Sequence, residues 1–285
     1  MIGPDVLDGV PLTHRIVTVG NSDVHCVEAG RGPTVVLLHG FPEFWYSWRN
    51  QIPALVHAGF RTIAIDLRGY GDSSKPAAID AYQLPAVIED IAGVIVQSGD
   101  TPCAVVGHDW GGLLAWFLPM MHPGLVSRLT VLNTPHPVPY SRELRNSREQ
   151  RVRMLYQLFM QPPVIPEMVL RIVLPSMMRR MSNVSEDELR VYREAWRPRA
   201  ARRGMVNYYR ALRRHRKVLR SLVRPIEIPT MLIWGEREPV FTRATTERFE
   251  EYVPNLRIVR VPEARHFVQA DAPDVVNRSL LDFLK

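Results

Sequence analysis

The strongest constraint on the fold lies in residues 103 to 122. An apolar run, Cys103 to Val106, leads through Val105-Val106-Gly107-His108-Asp109-Trp110-Gly111-Gly112 into a helical pattern from Trp110 to His122. Glycines bracketing a central side chain in Gly-x-Asp-x-Gly suit a sharp strand-to-helix turn, where backbone must pass close to backbone. A turn of this kind presents its middle residue at the exposed end of a buried strand. That residue is Asp109.

An aspartate there redirects the chemistry that a serine would perform. Serine must lose a proton before it attacks, whereas a carboxyl group of reference pKa about 3.9 is already an anion at neutral pH. The first helical turn, carrying roughly half a positive charge from the backbone dipole, favours that anion. A serine alkylated at carbon would be an inert ether, but an alkylated Asp109 is an ester that water can cleave. The expected first product is a covalent ester on Asp109.

The rest of the chain supplies a sheet for this turn. Arg15 to Val19 and Val24 to Glu28 read as a hairpin around Gly20 and Asn21. Thr34 to Leu38 is a short apolar run suited to a strand covered on both faces, Thr62 to Asp66 is the next buried strand, Leu129 to Leu132 another strand, and the sheet resumes at Thr230 to Trp234 and Arg257 to Val261. Helical patterns lie between them at Ser47 to Ala58, Leu84 to Ser98 and, last, Ala272 to Phe283. Alternation of this kind predicts an α/β fold with a mostly parallel, doubly wound sheet. From about His136 to Arg224 no buried-strand run occurs, and the pattern is helical, arginine-rich and methionine-rich. The expected organisation is a core of residues 1–135 and 225–285 with an inserted helical cap, 136–224, over the strand ends where ligands of parallel sheets bind.

Charge sharpens this division. Ser141 to Arg224 holds 21 Lys and Arg against 7 Asp and Glu, while the remainder holds 15 against 22. The arginines alternate with helix-spaced apolar residues (Met154, Leu155, Leu158; Val191, Trp196; Tyr208, Tyr209, Leu212), the pattern of a solvated helix face. Such a surface also suits acidic lipid or an anionic ligand, and nucleic acid less. A homodimer through the basic cap is compatible with it. Cys26 and Cys103 sit in strand-like runs and read as buried free thiols. The nine histidines show no metal-ligand spacing, no membrane-length apolar run occurs, and no signal-peptide pattern opens the chain, so the expectation is a cytoplasmic protein without metal or cofactor. The glycine-rich Arg68-Gly69-Tyr70-Gly71-Asp72-Ser73-Ser74 lacks the Gly-Lys-Ser/Thr ending of a phosphate loop and reads as a structural turn.

Three further features fall after strands. Thr34 to Leu38 ends in His39-Gly40-Phe41-Pro42, where the N–H of Phe41, with that of Trp110, is placed to hold an oxyanion. The Phe41-Pro42 bond suits a cis peptide by position. Gly235-Glu236-Arg237-Glu238 follows one late strand and Pro262-Glu263-Ala264-Arg265-His266 the next. Nucleophile, acid and histidine, in that order and each after a sheet strand, form the triad of α/β hydrolases, with Asp109, Glu238 and His266 in the roles.

In His39-Gly40-Phe41-Pro42-Glu43-Phe44-Trp45-Tyr46-Ser47-Trp48 and Gly107-His108-Asp109-Trp110-Gly111-Gly112 the chain resembles an epoxide hydrolase of the α/β-hydrolase superfamily, close to the soluble type and its bacterial relatives. The resemblance runs from about Ile16 to Leu284. It implies two ring-opening tyrosines: Tyr156, in Tyr156-Gln157-Leu158-Phe159-Met160-Gln161, and Tyr209, in Asn207-Tyr208-Tyr209-Arg210. A phenol can hydrogen-bond the alkoxide that ring opening develops and hand over a proton. The chain departs from the family in carrying Glu238 where an aspartate is usual, which leaves Glu236 as an alternative partner for His266. Seven of eleven methionines fall between Met154 and Met205, consistent with an adaptable pocket wall for small hydrophobic epoxides. A haloalkane dehalogenase would also use Asp109 and Trp110, but Phe41 supplies no side-chain halide donor, and a fluoroacetate dehalogenase typically has arginine in place of Trp110. A noncatalytic ligand receptor would not need an intact nucleophile, acid and base.

Overall fold

A computed structural model describes all of residues 1–285. The strands are β1 (Val6–Leu7), β2 (Val10–Pro11), β3 (Thr13–Val19), β4 (Ser22–Ala29), β5 (Thr34–Leu38), β6 (Arg61–Ile65), β7 (Cys103–His108), β8 (Val126–Leu132), β9 (Thr230–Gly235) and β10 (Leu256–Val261). Apart from the small β1–β2 pair, they form one eight-stranded sheet in the order β10-β9-β8-β7-β5-β6-β4-β3. All neighbours from β10 to β6 are parallel, and β4 runs antiparallel to both β6 and β3. Every residue of β5, β7 and β9 is buried, as continuous apolar runs in a sheet covered on both faces require. Cys26 in β4 and Cys103 in β7 are free and buried.

The helix Gln51–His57 packs with Pro273–Leu284, and Leu84–Ser98 packs with Trp110–Met121. The expected helix from Ser47 to Ala58 is in fact two pieces, a 3-10 turn at Trp45–Trp48 and the helix Gln51–His57. Pro53 explains the break. It has no N–H to give back to an earlier turn and is tolerated only near the start of a helix.

Between β8 and β9 lie six helices and no strand: Pro137–Asn146, Arg148–Arg153, Tyr156–Phe159, Ile165–Met181, Glu186–Trp196 and Arg199–Leu222. Ser185 starts the fifth with a reciprocal capping box to Glu188. Leu189, Tyr192, Trp196, Tyr208 and Tyr209 are buried, so the apolar positions of the last two helices face inward as their spacing predicts. Leu155 and Leu158 depart from that pattern, each 56% exposed, and Met168 is turned outward instead of forming a pocket wall. No helix is long and apolar enough to cross a membrane.

Candidate active site

Asp109 terminates β7 at φ 50° and ψ −117°, a conformation that a residue with a Cβ adopts only at a cost of about 1–3 kcal/mol. Glycines make the bend possible. A Cβ on Gly111 would collide with the carbonyls of Leu38 and His39, and one on Gly40 with Asp109 itself. His39 is buried between these segments, accepting from the Leu67 N–H at 3.0 Å and lying 3.0 Å from the Gly40 carbonyl. The Phe41-Pro42 peptide is cis.

The two oxygens of Asp109 have different surroundings. Oδ1 accepts the Phe41 backbone N–H at 2.7 Å, whereas Oδ2 lies 3.5 Å from His266 Nε2. The Trp110 N–H, the second donor expected from the sequence, makes no hydrogen bond to the carboxylate, although it opens the helix immediately after it. Burial pushes the Asp109 pKa up, but the His266 hydrogen bond and charge, with His108 and the Phe41 N–H, outweigh it and hold the carboxyl below its ordinary range.

His266 stands on the loop after β10 and is 3% exposed. Its Nδ1–H donates to Glu238 Oε2 at 2.8 Å. Glu236 is directed elsewhere, to Arg260 at 3.1 Å and Arg243 at 3.4 Å, so the choice between the two glutamates falls to Glu238. The longer side chain is accommodated by curling onto its own loop: Glu238 Oε1 accepts the Val240 N–H at 2.7 Å, and Oε2 also takes Asn133 Nδ2 at 2.6 Å. Burial lowers the affinity of His266 for a proton, but the Glu238 charge and the Asp109 hydrogen bond raise it, to a pKa of about 10. The imidazole is therefore a cation between two carboxylates at neutral pH.

Tyr209 is 4% exposed, with its ring 5.1 Å from that of Trp110, 5.6 Å from Phe41 and 5.8 Å from Tyr156. Tyr156 keeps 36% of its surface open, with its ring packed on that of Tyr209. Burial, followed by the Asp109 charge, raises the Tyr156 pKa, and burial, then Tyr156 and Asp109, raises that of Tyr209. Both phenols thus remain protonated beside the carboxylate.

Several neighbours were not marked by the sequence as part of the site. Gln150 and Arg153, three apart on the helix Arg148–Arg153, grip the loop after Glu238: Arg153 Nη1 donates to the Glu238 and Phe241 carbonyls, both at 2.9 Å. Gln150 donates to the Val240 carbonyl at 3.1 Å and accepts the Thr242 N–H at 2.8 Å. Behind His266, His108 Nε2 donates to the His266 carbonyl at 2.9 Å, and buried Glu43 accepts from Ser47, Tyr192 and Gln269. Glu43 and His108 lie inside the two motifs read from the sequence, but nothing in a one-dimensional pattern shows that they meet. No group of three or more His, Cys, Asp or Glu side chains is arranged to hold a metal ion. An open polar depression lined by Arg31, Arg61 and Asp100 lies beyond the other ends of the strands and contains none of these residues.

Residues 33–273 match the α/β-hydrolase fold family. The chain is 34% identical to mouse epoxide hydrolase 4, covering 96% of this chain and 80% of that protein. A solved epoxide hydrolase A from Mycobacterium thermoresistibile superposes with a TM-score of 0.85 at 31% identity, over 96% and 98% of the two chains. The chain belongs to the epoxide hydrolase family of α/β hydrolases. The chain is also similar to AB hydrolase superfamily protein YfhM of Bacillus subtilis, 36% identical over 98% of this chain and 99% of that protein. An epoxide hydrolase of Bacillus megaterium, solved with an inhibitor, has a TM-score of 0.86 at 31% identity, covering 95% and 99% of the two chains.

Proposed function

We propose that this α/β hydrolase converts hydrophobic epoxides to vicinal diols through an ester on Asp109, beneath a cap formed by residues 136–224. The observation that carries this reading is the division of labour at Asp109, with Oδ1 fixed by the Phe41 N–H and Oδ2 unengaged except for the 3.5 Å approach of His266. Oδ2 attacks a ring carbon, the carbon–oxygen bond of the ring breaks, and the departing oxygen takes a proton from Tyr156 or Tyr209. Their protonated state beside Asp109 supports that role.

Ester formation removes the negative charge of Asp109. His266 then loses one of the two carboxylates that raise its pKa, and it returns its proton to the tyrosinate. Neutral His266, oriented by Glu238, takes a proton from water, and the resulting hydroxide adds to the ester carbonyl. The oxyanion develops on Oδ1, beside the Phe41 N–H, with the Trp110 N–H as second donor. Collapse expels the diol, protonated by His266, and the new carboxylic acid returns its proton to the imidazole. One water is consumed, and both carboxylate and imidazolium are restored.

His266→Gln tests the scheme. It should accept a substrate-sized adduct from styrene oxide, seen by intact mass, yet release almost no diol. An unmodified mass at saturating epoxide would contradict the scheme.

A further inference from the structure

Sixteen large hydrophobic residues are exposed, and ten of them fall between Val152 and Val173. That concentration in one stretch of the chain exceeds the scattered single exposed residues that any surface carries. Ile165, Met168 and Ile172, spaced three and four apart, share one face of the helix Ile165–Met181. Ile172 is 78% exposed and Met168 65%. Leu155, Leu158 and Phe159 form a second exposed group immediately before this helix.

Charge indicates what such a patch would meet. Arg148 and Arg151, just before this stretch, and Arg171 within it are exposed and have no carboxylate partner, because the two acids between residues 148 and 173, Glu149 and Glu167, are engaged by Arg153 and Arg210. A second copy docking here symmetrically would set these arginines against their own counterparts, an unfavourable juxtaposition. An anionic lipid surface offers both requirements together, acyl chains for the apolar stripe and headgroup charge for the arginines.

We propose that this face docks on anionic lipid bilayers, with Ile165, Met168 and Ile172 entering the interfacial region and Arg148, Arg151 and Arg171 meeting the headgroups. Tyr156, 36% exposed in this stretch, has its ring 5.8 Å from that of Tyr209, which packs on Trp110, so the docked stretch borders the active site. Lipid binding itself does not require the reaction proposed above.

Flotation with vesicles tests the assignment. The protein should float with equimolar phosphatidylglycerol and phosphatidylcholine, not with phosphatidylcholine alone, and added salt should release it. The double variants Met168→Asp/Ile172→Asp and Arg148→Glu/Arg151→Glu should each bind about tenfold more weakly. Met168→Asp/Ile172→Asp should keep its thermal midpoint and its rate on soluble styrene oxide, which separates lost docking from lost folding. No flotation of the wild type, or flotation unchanged in both variants, would overturn the proposal. So would a solution dimer that Met168→Asp/Ile172→Asp dissolves, which would assign the patch to a second copy.

Discussion

Asp109 Oδ2 and His266 Nε2 are 3.5 Å apart, and the charge of each sets the proton affinity of the other. Because Asp109 contributes to raising the His266 pKa to about 10, removing its charge must move that pKa down. In Asp109→Asn, a nitrogen-NMR titration of His266 should therefore show a midpoint below that of the wild type, with Glu238 still raising it. An unchanged midpoint would mean that the two groups are not coupled. The tyrosines separate in a different assay: Tyr156→Phe and Tyr209→Phe should each slow adduct formation by roughly 10²-fold, and the double variant should be nearly inert, as expected for general acids. Rapid-quench mass measurement checks this, and an unimpaired double variant would remove both from ring opening. Asp109, Glu238 and His266 were legible from the sequence because each follows a strand-like run, buried throughout in β7 and β9 and partly exposed in the edge strand β10. What the sequence left open was Glu238 against Glu236, two residues apart on one loop, since the decision lies in where Asn133, Arg260 and the Val240 N–H stand in space.

The central strands were readable best, because a strand buried on both faces has little freedom in composition: Thr34–Leu38 coincides with the apolar run that marks it, whereas β8 begins three residues before the expected Leu129 and the β1–β2 pair was not read. Helices between strands were less sharply bounded, as the break before Gln51 shows. The largest gap was the role of the helix Arg148–Arg153, which in sequence is one more arginine-rich part of the helical stretch and in the structure holds the loop of Glu238 through Gln150 and Arg153. Chain continues from this helix to Tyr156 within three residues, so one element ties Tyr156 to the loop of Glu238, the partner of His266. Arg153→Met should therefore leave the first, alkylation step nearly unchanged and slow ester hydrolysis roughly 10- to 100-fold, because small misplacements of a positioned group have costs of that order. Burst kinetics with adduct accumulation would register this, whereas equal slowing of both steps would indicate a general loss of structure.

Across the whole molecule, the chain combines an acidic sheet-bearing part with a strongly basic helical segment, and the sequence showed that asymmetry without showing which arginines are spent internally. Arg49 binds Glu188 at 2.5 Å and Arg210 binds Glu167 at 2.8 Å, so several cations join the helical segment together or to the sheet-bearing part. All of these elements converge on one chemical claim, that water never attacks the epoxide and instead cleaves a bond to Asp109. A single turnover in heavy-oxygen water, with enzyme in excess, tests this directly. The expected result is one heavy oxygen in the Asp109-containing peptide and an unlabelled diol; label in the diol with none on Asp109 would contradict the account.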